Sequence, residues 1–510
     1  MSVQIIVMSN TLISSYKFKK STHENMTISM VKGLQFSLFS IRQLSEKIKT
    51  SDIPPVDLIE FCFDRIRKFN PLLNAFITII DEEDAYNNAR IAEREISQGN
   101  YRGPLHGIPF SIKDIISAKD ISCTAGSKIL SGYVPKADAT CIKKIKKAGA
   151  ILLGTNNLNE FASGITGVNP YYGNTKNPWN MSRISGGSSG GSAVAVSTGM
   201  AWISLGTDTG GSIRVPSSLC GVVGLKPTYG RVSKYGVVPL APSLDHVGCI
   251  TRSAWDAAAV LEWISGWDPS DQISKHKKVP PYTNIIEKSN FEGIAIGVPK
   301  DYFFDYVHSE VERLFFQFLE SIKSLGYKVF DLDLQNPERY YNTWKGIRYA
   351  EASEIHARWL KTRKEDYSEE VRQMLIQGTK ISAVDYIHAM RIVNEELKKE
   401  LLMMFKQKIE VIVVPTTIIP APRFDELMDI DICNTVLQTR EALLRNTILF
   451  NSTGFPAVSI PIGLTKDNMP VSVQIIGPPF REEKILSVAY NYECLNDTQT
   501  KFTPPFPFKS

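Results

Sequence analysis

The 510-residue sequence predicts an α/β fold built on a parallel sheet with helical crossovers. Gly107 to Ile116 and Ala150 to Gly154 are short, β-rich apolar runs, and the amphipathic stretch Ala139 to Gly149 lies between them. Strand, helix and strand in that order is the pattern of a crossover connection. Buried-strand patterns return late in the chain, at Glu410 to Pro415, Ala457 to Pro461 and Val471 to Ile476.

The remaining elements follow from spacing. Between Ser40 and Ala75, Leu44, Ile48, Leu58, Ile59, Cys62, Phe63 and Ile66 recur at helical intervals, with Pro54 and Pro55 breaking the run. Residues 305–408 read as mostly amphipathic helix, including a long one from Ser382 to Lys406. This stretch is expected to be a helical insertion within one domain spanning 40–495, whose catalytic core covers 107–230. Residues 1–39 are expected to form a disordered extension, and 496–510 a tail in which Pro504 to Pro507 is a terminal loop. Met8, Met26 and Met30 are alternative starts, and no internal repeat is visible.

Composition excludes several classes. Hydrophobic residues make up 43% and charged residues 22% of the chain, which is ordinary globular usage. A net charge of +5, from 58 basic and 53 acidic residues, is too small a surplus to indicate nucleic acid. The seven cysteines are odd in number, with no C-x-x-C pair, and the seven histidines form no H-E-x-x-H motif. A reducing, cytoplasmic setting with neither metal nor cofactor is therefore expected. No apolar run is long enough to span a membrane, and the lysines that follow rather than precede the opening apolar stretch fit neither a secretory nor a transit signal.

The chemistry concentrates in two glycine-rich loops. Ile184-Ser-Gly-Gly-Ser-Ser-Gly-Gly-Ser192 leads into apolar Ala193 to Val196, and Gly206-Thr-Asp-Thr-Gly-Gly-Ser-Ile-Arg214 follows. Such glycine density suits backbone that must approach a ligand closely. A phosphate cradle would require a lysine after the glycines, and none is there. Gly186-x-Ser188-x-Gly190 matches the nucleophile-elbow string, but the elbow needs a preceding strand and Asn177 to Ser182 reads as a turn. A flexible linker would have polar flanks, whereas these are apolar.

A hydrolytic site remains. In Thr209-Gly210-Gly211-Ser212, glycines ahead of a serine let successive backbone N–H groups converge where a carbonyl oxygen gains charge, and Ser212 sits beside them as a nucleophile. A serine hydroxyl needs a base, and no histidine lies in these motifs. Lysine can serve only when neutral, which from its reference pKa of ~10.4 needs about 4 kcal/mol of selective penalty on the charged form. Lys113 lies in an apolar run between Ile112 and Ile115, a pattern that also fits a strand lysine turned to solvent.

From about Ser40 to Glu493 the chain resembles the amidase-signature family, most specifically between Gly107 and Lys226. The resemblance lies in the G-I-P-x-x-[IV]-K-D segment holding Lys113, the G-G-S-S-G-G segment holding Ser188, and the T-G-G-S segment closed by Ser212. It implies a large twisted mixed sheet covered by helices on both faces, and a Ser-cisSer-Lys triad of Ser212, Ser188 and Lys113. It also implies an oxyanion hole from the backbone of Thr209, Gly210, Gly211 and Ser212, with Ser189, Asp208 and Arg214 in support. Ser188 is preferred to Ser189 because its interval to Ser212 matches the family pattern.

The function implied is hydrolysis of a small-molecule carboxylic amide to carboxylate and ammonia by a stand-alone enzyme, with a homodimer as a possible assembly. One alternative is the component of a glutamyl-tRNA(Gln) amidotransferase that releases ammonia from glutamine for a partner protein, the only setting in which nucleic acid is expected. Another is a catalytically idle scaffold of the same fold. Glutamine-using members carry an Asp seven residues before the Asn of an N-x-x-G-x-P segment. Here that segment is Asn451 to Pro456, and the position seven earlier is Leu444. Residues Gly346 to Trp359 keep only part of the F-D-G-[VI]-R-Y-G run of the transamidase component.

Overall fold

The apolar runs become strands in the computed structural model, which describes Phe36 and residues 39–505 apart from 289–292, 335–336, 338, 408 and 433–434. In chain order the strands are β1 (Phe76–Ile79), β2 (Pro109–Lys113), β3 (Ile151–Asn156), β4 (Lys176–Asn177), β5 (Asn180–Ile184), β6 (Ile203–Asp208), β7 (Val223–Lys226) and β8 (His246–Thr251). They continue as β9 (Ala295–Pro299), β10 (Lys328–Leu332), β11 (Val411–Pro415), β12 (Asp429–Ile432), β13 (Thr435–Gln438), β14 (Ala457–Leu464) and β15 (Pro470–Ile476). Eleven of them form one sheet in the order β1-β3-β2-β6-β8-β7-β14-β15-β11-β9-β10.

The sheet is mixed. β3, β2 and β6 run parallel, as do β11, β9 and β10. The strands between these groups pair antiparallel. The crossover expected between the first two apolar runs is present, with helix Thr140–Lys147 joining β2 to β3. Both strands are buried along their length, which accounts for their continuous rather than alternating apolar pattern.

The sequence reading anticipates β2, β3, β11, β14 and β15 and none of the other ten strands among the described residues, β9 and β10 included. β10 is a sheet edge, and its exposed Lys328 and Asp331 break the apolar signal. Its parallel partner β9 is buried throughout but only five residues long. The segment expected to be mostly helix therefore contains an edge strand between helix Ser309–Ser324 and helix Arg339–Ile355. The long helix expected from Ser382 is three pieces: Ala383–Arg391, a π-helical stretch Ile392–Leu397, and Lys398–Lys406. Pro55 opens helix Pro55–Leu73 rather than merely ending its predecessor, a position where its missing N–H costs nothing.

The expected N-terminal extension lies outside the described residues except for Phe36 and Phe39, as do the last residues of the tail. Cys62, Cys123, Cys141, Cys220, Cys249 and Cys494 are free thiols, the first five buried. No helix among the described residues is long and apolar enough to cross a membrane.

Candidate active site

The register of three parallel strands carries Lys113 into the interior. Phe110, Ser111 and Ile112 of β2 pair with Ile203, Ser204 and Leu205 of β6, and Lys113 pairs with Asn156 of β3. At the end of a fully buried strand between two others, the Lys113 side chain has no route to water and is 0% exposed. Its Nζ donates to Ser188 Oγ at 2.7 Å and to Thr207 Oγ1 at 2.8 Å. Burial pulls its pKa down to about 7, against the opposing pull of Asp208 and Asp245. The solvent-facing reading of this lysine is thereby excluded.

Ser188 lies in the loop between β5 and helix Gly190–Ser197, and the Gly187–Ser188 peptide is cis. The turn expected at Asn177 to Ser182 is instead a hairpin of β4 and β5, so a strand does precede this serine. That hairpin stands apart from the main sheet, unlike the strand of a nucleophile elbow. The adjacent Ser189 ties the two glycine loops together: its N–H donates to the Ser212 carbonyl at 3.1 Å and its Oγ to the Thr207 carbonyl at 3.2 Å. Ser192 Oγ donates to Asn156 Oδ1 at 3.4 Å.

The loop from Asp208 to Ser212 is held by its carbonyl oxygens. Asn451 Nδ2 donates to the Asp208 carbonyl at 2.9 Å, Trp344 Nε1 to that of Thr209 at 3.0 Å, and Thr447 Oγ1 to that of Gly210 at 2.5 Å. The Val215 N–H donates to the Gly211 carbonyl at 2.7 Å. In a trans peptide the C=O and the next N–H point opposite ways. Tethering these four carbonyls therefore turns the N–H groups of Thr209, Gly210, Gly211 and Ser212 to the other edges of their peptides.

Two glycines are sterically required here. A Cβ at Gly210 would sit 2.5 Å from Trp344 Cζ2, and one at Gly211, whose φ is +143°, would sit 2.4 Å from Thr447 Oγ1. Ser212 is 5% exposed and Ser188 0%.

Asp208 and Arg214 form a fully buried bidentate pair, both contacts 3.0 Å. Arg214 also donates to the Thr447 carbonyl and to Gln474 Oε1 at 3.0 Å each, and to Asn451 Oδ1 at 2.5 Å. Burial alone would raise the Asp208 pKa, but the Arg214 guanidinium overrides it and holds the carboxyl below the usual range. The carboxylate in turn accepts from the Ile213 N–H at 3.1 Å, fixing the turn after Ser212. Partners from distant segments thus surround this pair, as a buried ion pair needs if it is to stay in place.

The structure brings Lys113 and Ser188 into direct contact, joins the Ser188 and Ser212 loops through Ser189, and sets Asp208 and Arg214 against the second loop. Thr207, Trp344, Thr447, Asn451 and Gln474 were not anticipated as parts of the site. Thr207, Asn451 and Gln474 stand in segments notable on other grounds, but nothing local to any of the five announces a partner so far along the chain. A cavity of about 200 Å³ adjoins the site, with Ala162, Thr207, Thr209 and Asp245 in its wall.

With this geometry the likenesses to known proteins agree. A sequence model of the family described as Amidase matches residues 57–486. The A component of the glutamyl-tRNA(Gln) amidotransferase of Sulfurihydrogenibium sp. is 36% identical over 485 residues, covering 91% of this chain and 98% of the relative. The native peptide amidase of Stenotrophomonas maltophilia superposes with a TM-score of 0.80 at 27% identity, over 92% of this chain and 98% of that one. The corresponding component of the Thermotoga maritima glutamyl-tRNA(Gln) amidotransferase does so with 0.74 at 35%, over 89% and 94%. The chain belongs to the amidase family and is an amide-hydrolysing enzyme.

Proposed function

We propose that the protein is a stand-alone amidase that cleaves a carboxylic amide through an acyl-enzyme on Ser212. The observation that carries this reading is the buried Lys113–Ser188 contact, with the lysine amine poised near neutrality. Neutral Lys113 accepts the Ser188 hydroxyl proton while Ser188 Oγ accepts that of Ser212. Ser212 Oγ then bonds to the amide carbon, and the N–H groups of Thr209 to Ser212 receive the oxyanion. Reversal of the relay gives the proton to the departing nitrogen, the C–N bond breaks, and ammonia leaves. Water repeats the sequence on the ester, releasing the carboxylate and restoring the Ser212 hydroxyl. Asp208 and Arg214 hold the loop's shape and take no proton.

A second reading is favoured by the curated relatives. The Sulfurihydrogenibium and Geobacter sp. (strain M21) proteins, 36% and 37% identical, are both amidotransferase A components. Against it stands Leu444, an apolar side chain only 3% exposed where glutamine-using members present an Asp to the substrate ammonium. An apolar wall cannot satisfy a buried cation.

Labelling with an activated phosphonate tests the first reading. One adduct on the parent protein, lost in Ser212→Ala, is expected; an undiminished adduct on that variant would remove Ser212 from the role. The second reading is tested by assaying the purified chain alone on glutamine and on short aliphatic and aryl amides. Turnover of glutamine only after the B and C type components are added, with the simple amides untouched, would replace the stand-alone assignment.

A further inference from the structure

Two guanidinium groups are fully buried near the candidate site, and they are treated differently. Arg214 has Asp208 and three further partners. Arg348, on helix Arg339–Ile355 and 2% exposed, has no ion pair among the described residues. Its Nη2 donates to Ser163 Oγ at 2.7 Å, and its Nη1 meets no hydrogen-bond acceptor. The rings of Trp344 and Tyr349 lie 5.6 and 5.4 Å from its Cζ.

The surrounding carboxylates are engaged elsewhere. Glu370 pairs with Arg440 at 3.0 Å, Glu351 accepts from the Ser243 N–H and Tyr386 hydroxyl, and Glu160 from Ser127 and Ser368. Burial, with Arg440 adding to it, lowers the Arg348 pKa to about 9, as befits a cation whose anion is missing. A buried, unpaired charge is among the costlier features a fold can keep, so an anion supplied from outside is the natural complement.

That anion would lie close to the T-G-G-S loop. Ser163 follows Ala162, which lines the cavity shared with Thr207 and Thr209, and Thr207 is the second partner of Lys113. Trp344, one helical turn before Arg348, donates to the Thr209 carbonyl of the T-G-G-S loop. Leu444 belongs to one apolar cluster with Trp344 and Ile165.

We propose that Arg348 anchors a carboxylate on the acyl part of the substrate, and that the substrate is a monoamide of a dicarboxylic acid carrying no ammonium group. The proposal rests on the amidase reading of the site and deepens it. Glutaramate, valeramide and glutamine isolate the terms, since valeramide lacks the carboxylate and glutamine adds the ammonium. Succinamate with butyramide and adipamate with hexanamide cover neighbouring lengths.

For the best length, kcat/KM is expected to favour the carboxylated amide over its neutral isostere by ~100-fold, and glutaramate over glutamine by ~10-fold. In Arg348→Met the carboxylate preference should collapse to within ~3-fold, and Arg348→Lys should restore part of it. Calorimetric binding of glutaramate to the Ser212→Ala protein reads the same anchor without turnover, so it stays informative should Ser212 not be the nucleophile; binding lost in Arg348→Met/Ser212→Ala supports the proposal. Equal rates for amide and isostere at all three lengths would overturn it, as would loss of both in equal measure in a folded Arg348→Met protein, or failure of every carboxylated probe to bind. A preference for glutamine over glutaramate would overturn the ammonium-free assignment.

Discussion

The glycine loops around Ser188 and Ser212 and the helices between Ser309 and Lys406 are built by opposite means. In the loops almost every side chain is buried, and polar groups are tied to partners from elsewhere in the chain. The helices are amphipathic, joined by surface ion pairs such as Arg339–Glu396, and leave Val384, Ile387 and Met403 exposed. A geometry that must hold a lysine near neutrality tolerates few alternatives, whereas a helix face that only has to cover the sheet tolerates many. Trp344 and Arg348 lie at the seam, where the permissive region touches the strict one.

The largest expected effect lies wholly inside the loops. Ser212→Ala is expected to lower kcat by at least ~10⁴-fold, because it removes the atom that forms the acyl-enzyme while leaving the surrounding hydrogen bonds of the main chain in place. Thermal melting should move by only a few degrees. A variant retaining a tenth of the activity would break the distinction between chemical and covering regions at its centre.

Next in size is a stability contrast between two arginines. Arg214→Met leaves Asp208 buried without its cation and should cost ~3–5 kcal/mol in urea unfolding, since uncompensated buried charge is the dominant penalty. Arg339→Met removes a surface partner of Glu396 and should cost less than ~1 kcal/mol. Similar values for the two would mean that the loop network is no more constrained than the helix surface.

How much of this was legible follows the same divide. Gly107 to Ile116 showed itself as a buried strand because both faces of β2 are covered, and the G-G-S-S-G-G and T-G-G-S loops stood out because close backbone approach requires glycine. The burial of Lys113 was not decidable from Ile112 and Ile115 alone, since a strand of that composition can face either way; the register with β6 and β3 decides it. Gln474 comes to Arg214 through the antiparallel return of β15 along β14, and Thr447 and Asn451 come to Arg214 and Asp208 from helix Ile448–Ser452 and its N-cap, just ahead of β14. Sequence periodicity reports which face of an element is apolar, not which distant polar group it will meet, so such partners stay hidden. β10 was missed for a related reason, its exposed face carrying charge within a stretch of helical composition.

The acidic limb of the rate profile joins geometry to chemistry. Lys113 is protonated below its folded pKa and cannot then act as a base, so kcat/KM should fall as pH drops through about 7 and level off above it. Lys113→Ala should lose most activity at every pH. Because the base is an amine, prolonged EDTA treatment should leave the rate unchanged; loss with EDTA that zinc restores would contradict the assignment.

The smallest effect is a displacement of that limb. Asp245 accepts from Thr209 Oγ1 at 2.6 Å and from the N–H groups of Leu240 and Ala241 at 2.9 and 3.0 Å, and its charge raises the Lys113 pKa against the larger effect of burial. Asp245→Asn can keep its one oxygen on the Leu240 and Ala241 N–H groups and turn its amide N–H toward Thr209 Oγ1, which can accept, while removing the charge. With the stabilising carboxylate gone, the ammonium form of Lys113 is less favoured, its pKa falls further, and the acidic limb should move to lower pH by about a few tenths of a unit, the scale of a screened single-charge interaction. The plateau rate should change far less than in Lys113→Ala, because no proton passes through Asp245. A limb that stays in place while the plateau drops would make Asp245 a prop for the Thr209 loop rather than an electrostatic neighbour of the base, and a limb that moves upward would show that the substitution acts on the base through rearrangement and not through its charge.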